Sequence, residues 1–406
     1  MAKPSIITGL DIGTSAIKIL VAEKKPKESE LEVIFLAQEA AAGVRKGVVI
    51  GVEEVSGILT DFLEKIRRDN GLKINSVFLN INGGHIFSAS SHGTVAVSRA
   101  DQKISEEDIE RVFQAAQTFS LPSNKEIFDV SPKEFIVDGQ GGIKEVLGLK
   151  GVRLEADVLA LGGFSPYLKN LTETVFNSDL QILDRVPSPI ASARAVLTPR
   201  QKELGVALVD IGAGTTGLVV FEEGDLIHLV ILPIGSANIT NDIAIGLKTD
   251  IDIAERIKIE YGSCSLWGNN KKSVSRKKEK IEIGEDSPLV FSQKQLTNII
   301  EPRVSEIFSQ ICKELKKIGK EKLLPAGVVL TGGGAKLPKI AELAKKELKL
   351  PVKIGKPQGI SNLDDPALAV CCGLVLLGMD SAEGKTFELG EGMGTKIKKI
   401  FKIFIP

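Results

Sequence analysis

Apolar stretches suited to strands, at residues 6–10, 16–21 and 31–41, precede a run with helical spacing at 52–68 and a further strand at 77–82. This order predicts an α/β sheet that opens with a hairpin. From residue 83 to residue 160 the texture changes, with a Gly-Gly turn, alternating strands such as 93–98, and a helix over 105–119 whose start is acidic. That stretch reads as a small α+β insertion. Helix 166–177, strand 181–186 and the Ala-rich helix 189–197, which begins on a proline suited to a first turn, resume the first unit.

The second half repeats the opening. A buried-type strand at 205–210 is followed by strand 218–222, a Gly224-Asp225 turn and strand 226–233. Helices 239–246 and 250–261, a lysine-rich loop around 270–280 and a long helix over 293–318 make a second insertion. Strand 327–330, helix 338–349, strand 352–354 and helix 366–378 close the globular part. Residues 380–394 are rich in glycine and acidic residues, lack apolar periodicity, and read as a flexible tether. The last residues switch to lysine alternating with isoleucine and phenylalanine.

At 406 residues the chain is long enough for two or more cores. Lys and Arg total 52, as do Asp and Glu, so there is no net field to draw in a nucleic acid. Nucleic acid is therefore not an expected partner. Cys264, Cys312, Cys371 and Cys372 form no C-x-x-C pair and read as reduced thiols of a cytosol. The first residues lack a signal-peptide pattern, so secretion is not expected. The longest apolar run, 367–379, is short of the roughly 20 residues that cross a bilayer, so any membrane contact is expected to be peripheral.

The candidate chemistry lies in two strand-turn-strand segments. In the first, running from Gly9 to Lys18, Gly13 lets a bulky anion approach the backbone. The N–H groups of Gly13, Thr14 and Ser15 can converge on phosphate oxygens, with the two hydroxyls as further donors. Asp11 ends an apolar strand, where an ionised carboxylate is costly unless compensated, and Mg²⁺ held through water would compensate it. The second segment repeats Asp-Ile-Gly at Asp210 and continues through Gly212, Gly214, Thr215 and Thr216. A third glycine cluster, Gly332, Gly333 and Gly334, follows a buried strand and offers bare backbone to a flat ring and ribose.

The paired turns, the later T-G-G-G and the two Ala-rich helices at 189–197 and 366–378 resemble the signature of the actin, heat-shock chaperone and sugar-kinase superfamily. That resemblance implies an actin-like two-lobed ATPase fold that binds ATP and Mg²⁺. The turns would grip phosphate from opposite lobes, Asp11 and Asp210 would hold the metal through water, and Lys18 would contact phosphate. The segment from Gly235 to Ala244, with the following Asp250 to Lys258, is similar to the FtsA family of bacterial cell-division proteins. By that resemblance Gly235 belongs to the nucleotide site, and Glu255 and Lys258 lie near the ribose. The domains would then be a first lobe core of 1–82, 161–200 and 360–380, an inserted α+β domain at 83–160, and a second lobe core of 201–232 and 325–359. A second-lobe subdomain at 233–324, a linker at 381–393 and a membrane helix at 394–406 complete the scheme.

Placed at 100° per residue, Ile397, Ile400, Phe401 and Phe404 fall on one side of the tail, and Lys398, Lys399 and Lys402 opposite. This is the layout of a C-terminal amphipathic helix that lies in a membrane interface, with lysines toward anionic lipids. The family resemblance implies a homopolymer on the cytoplasmic face of the bacterial inner membrane at the division site. It would bind the C-terminal tail of the tubulin-like FtsZ and recruit other divisome proteins, with Lys294 and Arg303 as candidate contacts. The segment before the first crossing helix, from Val186 to Ser192, lacks Gln, Glu or His, so at most slow ATP hydrolysis is expected. A pilus-assembly adaptor of the same fold and, less well matched, a small-molecule kinase of the superfamily are the alternatives. Replacing both Phe401→Glu and Phe404→Glu should release the protein from anionic vesicles in a flotation assay, and unchanged flotation would refute the anchor.

Overall fold

The computed structural model describes residues 5–25, 30–117, 122–265, 278–281 and 289–383. The tail expected at 394–406, with Ile397, Lys398, Lys399, Ile400, Phe401, Lys402 and Phe404, lies outside the described residues. So do the linker from 384 onward and the lysine-rich stretch up to 277.

The opening run forms β1 (Ser5–Ile12), which turns back onto β2 (Ala16–Lys24), and β2 pairs antiparallel with β3 (Glu32–Ala40). A hairpin too short to show in the sequence pattern, β4 (Val44–Arg45) with β5 (Val48–Val49), turns through Gly47 at φ 76°. Helix α1 (Val52–Asn70) buries Val55, Leu59, Phe62 and Ile66, spaced to share one face, and ends at Gly71 in the left-handed region. Strand β6 (Ser76–Ile81) then lies parallel to β1.

The chain next builds β7 (Phe87–Ala96), α2 (Glu106–Ala116), β8 (Lys125–Val137), β9 (Gln140–Ile143) and β10 (Arg153–Phe164). Their sheet runs β7-β10-β8-β9. Ser105 and Asp108 form a capping box that starts α2. The sheet and helix enclose a separate small core that includes Val112, Phe113, Phe135 and Val158.

Helix α3 (Ser165–Phe176) leads to β11 (Gln181–Pro187), parallel to β6, and then to α4 (Ser188–Val196) and α5 (Pro199–Leu204). The first large sheet therefore has the order β11-β6-β1-β2-β3. The second half supplies β12 (Val206–Ile211), β13 (Thr216–Glu222), β14 (Asp225–Leu232), α6 (Ser236–Leu247) and α7 (Ile251–Tyr261). It continues with β15 (Lys278–Ile281), β16 (Leu289–Ser292), α8 (Gln293–Lys317), β17 (Val328–Thr331), α9 (Ile340–Leu348), β18 (Val352–Ile354) and α10 (Ala369–Ala382). Its large sheet reads β14-β13-β12-β17-β18, the same arrangement strand for strand.

Both faces of β12 are buried, which accounts for its unbroken apolar sequence. Val206 and Leu208 face a core shared with the first half, while Ala207, Val209 and Ile211 face one shared with α6 to α9. The structure departs from expectation at three ends. Residues 278–281, read as loop, pair with β16. Pro366–Leu368 forms a 3₁₀ turn, and α10 starts only at Ala369. That helix then runs to Ala382, past 378 and into the expected linker.

Helices α4 and α10 lie between the two sheets and are buried along nearly all their length. Their backbones approach so closely that a Cβ on Gly373 would sit 1.8 Å from the Ala191 carbonyl oxygen. Gly9 of β1 is likewise pressed against α10, where its Cβ would be 2.9 Å from the Cys371 carbonyl oxygen. Gly373→Ala should therefore lower the unfolding free energy by about 3 kcal/mol, the upper end of overpacking costs, in urea titration. Gly57→Ala in α1, where a Cβ meets nothing within 4 Å, should stabilise by up to about 1 kcal/mol.

Candidate functional site

The two turns meet. In each, the first glycine closes the hairpin through its own N–H: Gly13 donates to the Ala16 carbonyl at 3.0 Å, and Gly212 to the Thr215 carbonyl at 2.9 Å. This corrects one expectation, because the Gly13 N–H is spent on the turn and is not available to a phosphate. Thr14 and Gly214 touch across the gap, since a Cβ on Gly214 would lie 2.6 Å from Thr14 Oγ1. A cavity of about 70 Å³ is left between the halves. Its lining includes Asp11, Gly13, Thr14, Ser15, Lys18, Asp210, Gly212, Thr215, Gly332 and Gly333.

Register explains the charge balance. Asp11 pairs with Lys18 across β1 and β2, and the equivalent partner of Asp210 across β12 and β13 is Gly217. A side chain there would strike Pro189 at the start of α4, at 2.3 Å for a Cβ. Among the described residues the cavity thus holds two carboxylates and one lysine. Lys18 donates to Asp11 Oδ2 at 3.2 Å and to the Ala367 carbonyl at 3.1 Å. Burial works against its charge, but Asp11, with Cys371 and Asp210, outweighs burial and raises its pKa.

Sequence reasoning missed the residues that hold the carboxylates. Buried Asn80 donates to Asp11 Oδ1 at 2.8 Å, accepts from the Ile12 N–H at 2.8 Å and reaches Ser188 Oγ at 3.1 Å. Ser192 of α4 donates to Asp210 Oδ2. Asp210 is pushed up to about 6, first by burial and further by Asp11, against the pull of Ser192 and Lys18. Gly332, at φ 84°, has to be glycine, because a Cβ would sit 2.3 Å from Asp210 Oδ1.

Several predicted residues stand away from this cavity. Thr216 is fully buried and gives its hydroxyl to the Ile234 carbonyl at 2.8 Å, on the opposite side of β13 from Thr215. Gly235 packs on the second turn, where its Cβ would be 2.5 Å from the Ala213 carbonyl oxygen, and Gly334 packs on Ile211. Glu255 and Lys258 pair at 2.6 Å on α7, and Lys258 also donates to Thr240 Oγ1 at 2.9 Å. Arg303, expected as a partner contact, is already engaged within this chain. Its guanidinium grips both Asp242 oxygens, at 2.6 and 2.9 Å, and pairs with Glu306. Lys294 is exposed at the start of α8.

The donor set suits a hydrated cation. Two carboxylates on facing turns, with no group of three or more His, Cys, Asp or Glu side chains among the described residues, do not make an all-protein cage. Mg²⁺ commonly keeps several waters and takes phosphate oxygens beside one or two carboxylates.

Comparison with known proteins fits this geometry. A family model described as the SHS2 domain inserted in FTSA matches residues 83–161, and that of cell division protein FtsA matches 207–373. Cell division protein FtsA of Pseudomonas aeruginosa is 37% identical over 379 residues, covering 92% of this chain and 89% of that one. The chain belongs to the FtsA family. Its Bacillus subtilis relative is 34% identical over 390 residues, covering 96% of this chain and 87% of that one. Among solved structures, the PilM-PilN type IV pilus biogenesis complex matches with TM-score 0.65 at 18% identity, over 92% of this chain and 98% of that one. MreB5 of Spiroplasma citri bound to ADP matches with TM-score 0.55 at 14% identity, over 93% and 98%. The fold of this FtsA-family chain is thus actin-like.

Because the folded state holds Asp210 protonated up to about pH 6, ionising it above that pH costs stability. Asp210→Asn should therefore raise the Tm of the ligand-free protein at pH 7.5, through a gain on the order of 3 kcal/mol. The gain should shrink as pH falls through 6 toward the usual carboxylate range. A lower Tm at pH 7.5 would contradict this account of the buried carboxylate.

Proposed function

We propose that this FtsA-family protein binds ATP with Mg²⁺ between its two halves and polymerises on the cytoplasmic face of the bacterial inner membrane. There it tethers filaments of the tubulin-like FtsZ, through that protein's C-terminal tail, and recruits other division proteins. The observation that carries the nucleotide part is the meeting of the two like turns around Asp11, Asp210 and a single lysine. The MreB5 structures of the same fold, solved bound to ADP and to AMPPNP, support it.

In this reading Thr14, Ser15, Gly212, Gly214 and Thr215 surround the phosphates, and Lys18 offsets their charge. Mg²⁺, held through water by Asp11 and Asp210, would neutralise the remainder. The cavity of about 70 Å³ is far smaller than the roughly 300–1,000 Å³ of small-molecule sites, so it suits the phosphate end alone. The base and ribose would lie beyond it, toward Gly332, Gly333 and Gly334, with Gly235, Glu255 and Lys258 on the second-half side.

Among the described residues the cavity lining contains no Gln, Glu or His to orient water, and in this reading hydrolysis is slow and the nucleotide acts chiefly by favouring the closed halves. Each tail binds the membrane weakly, and a polymer that presents many of them gains avidity. On α8, Lys294 is the better candidate for the partner's tail, since Arg303 is already engaged by Asp242 and Glu306.

Two measurements test this function. Lys18→Met, which keeps most of the buried stem, should weaken binding of a fluorescent ATP analogue by about tenfold or more. Flotation of the full chain and of a version stopped at Gly394, with and without Mg-ATP, should show tail-dependent binding strengthened by ATP. Tail-independent or absent binding would shift weight to a pilus-type adaptor.

A further inference from the structure

The cavity wall continues without a break into the inserted sheet. Asn82 lines the cavity and is the last residue before the chain enters the insertion at Gly83. Its Oδ1 accepts from the Gly83 N–H at 2.8 Å, and its Nδ2 donates to Thr215 Oγ1 at 3.2 Å, across the gap between the halves. Gly47 of the short hairpin backs it, since a Cβ there would be 2.9 Å from Asn82 Cγ. The segment from Asn82 to β7 is held by two hydrogen bonds: the Ile86 N–H closes a turn on the Gly83 carbonyl at 3.1 Å, and the Phe164 N–H donates to His85 Nδ1 at 3.2 Å.

Beyond this segment the insertion sits on β14, an edge strand of the other half. A Cβ on Gly84 would lie 3.3 Å from the Ile231 carbonyl oxygen. Ser88 of β7 donates its hydroxyl to the Leu229 carbonyl at 3.0 Å and accepts the Leu229 N–H at 3.4 Å. One hydroxyl thereby satisfies both free backbone groups of an edge residue. At the far end Lys144 pairs with the mostly buried Asp225 and also donates to the Lys133 carbonyl at 3.1 Å. The insertion is thus joined covalently to the first half and seated on the second.

We infer that Asn82 is a positioning residue that couples the phosphate cavity to this seat, so that a nucleoside triphosphate in the cavity sets how firmly the inserted domain is held on β14. The inference rests on the nucleotide reading above. The Asn82 amide nitrogen carries a second hydrogen besides the one given to Thr215, and Thr215 is itself a phosphate-side hydroxyl. A phosphate between them fixes both. Drawing the two halves together also presses Ser88 and Lys144 onto β14, because the turn at Gly83–Ile86 and the His85–Phe164 hydrogen bond tie the segment to the inserted sheet.

The test is hydrogen exchange of the full-length protein, followed in peptides covering β7 and β14, with and without Mg-AMPPNP. In the wild type the analogue should slow exchange along this seam by about fivefold or more. Asn82→Ala, held at analogue concentrations that saturate it so that a weaker affinity from the lost phosphate contact does not enter, should lose the nucleotide-dependent slowing. Asn82→Asp, which keeps the acceptor for Gly83 and loses the donor for Thr215, should fail in the same way. A merely structural Asn82 would shift exchange equally with and without the analogue. A full response in Asn82→Ala, or a wild type that binds the analogue with no response in the seam, overturns the coupling. Absence of analogue binding by the wild type overturns the nucleotide reading itself, and the coupling with it.

Discussion

Two buried carboxylates facing each other across a gap are the constraint around which the molecule is arranged. Each sits at the end of an apolar strand, where charge is expensive without compensation. The first half compensates Asp11 with Lys18 and Asn80, and the second compensates Asp210 with Ser192, borrowed from a helix of the first. Every one of these partners needs its element in a fixed place. Asn80 requires β6 beside β1, Ser192 requires α4 against the second sheet, and Gly332 lets β17 end directly over Asp210. The cores on either side hold the strands, but the polar contacts set how the two halves meet.

The duplication is close in backbone and unequal in chemistry. Five strands follow in the same order in both halves, and both turns close through the same glycine hydrogen bond. The position of Lys18 becomes Gly217 in the copy because Pro189 occupies that space. Among the described residues that line the cavity, one lysine therefore faces two acids, which leaves the site short of positive charge.

Much of this was legible in the sequence, for identifiable reasons. Repeated Asp-Ile-Gly turns betray themselves locally, and so do a doubly buried strand such as β12 and a capped helix such as α2. What escaped was long-range. Asn80 lies 69 residues from Asp11, and Asp242 lies 61 residues from the Arg303 it neutralises, so no local pattern announces either. The assignment of Thr216 beside Thr215 overlooked the strand's own alternation, which sends neighbouring side chains to opposite faces. The β4–β5 hairpin, with two residues per strand, is too short for any periodicity to register.

The contact of Gly373 with Ala191 has a mechanical meaning. With no side chain between them, the two crossing helices cannot slide past one another without collision, so they act as one rigid unit under both sheets. A bidentate pair between Arg194 and Asp380, at 2.7 and 3.1 Å, fastens the same helices near their ends. The chain leaves this axle at Glu383, which is tied to Lys24 of the first sheet. The exit of the C-terminal segment is therefore fastened to the first half, so that a pull on that segment is borne by the first sheet and the helix pair rather than by the second half.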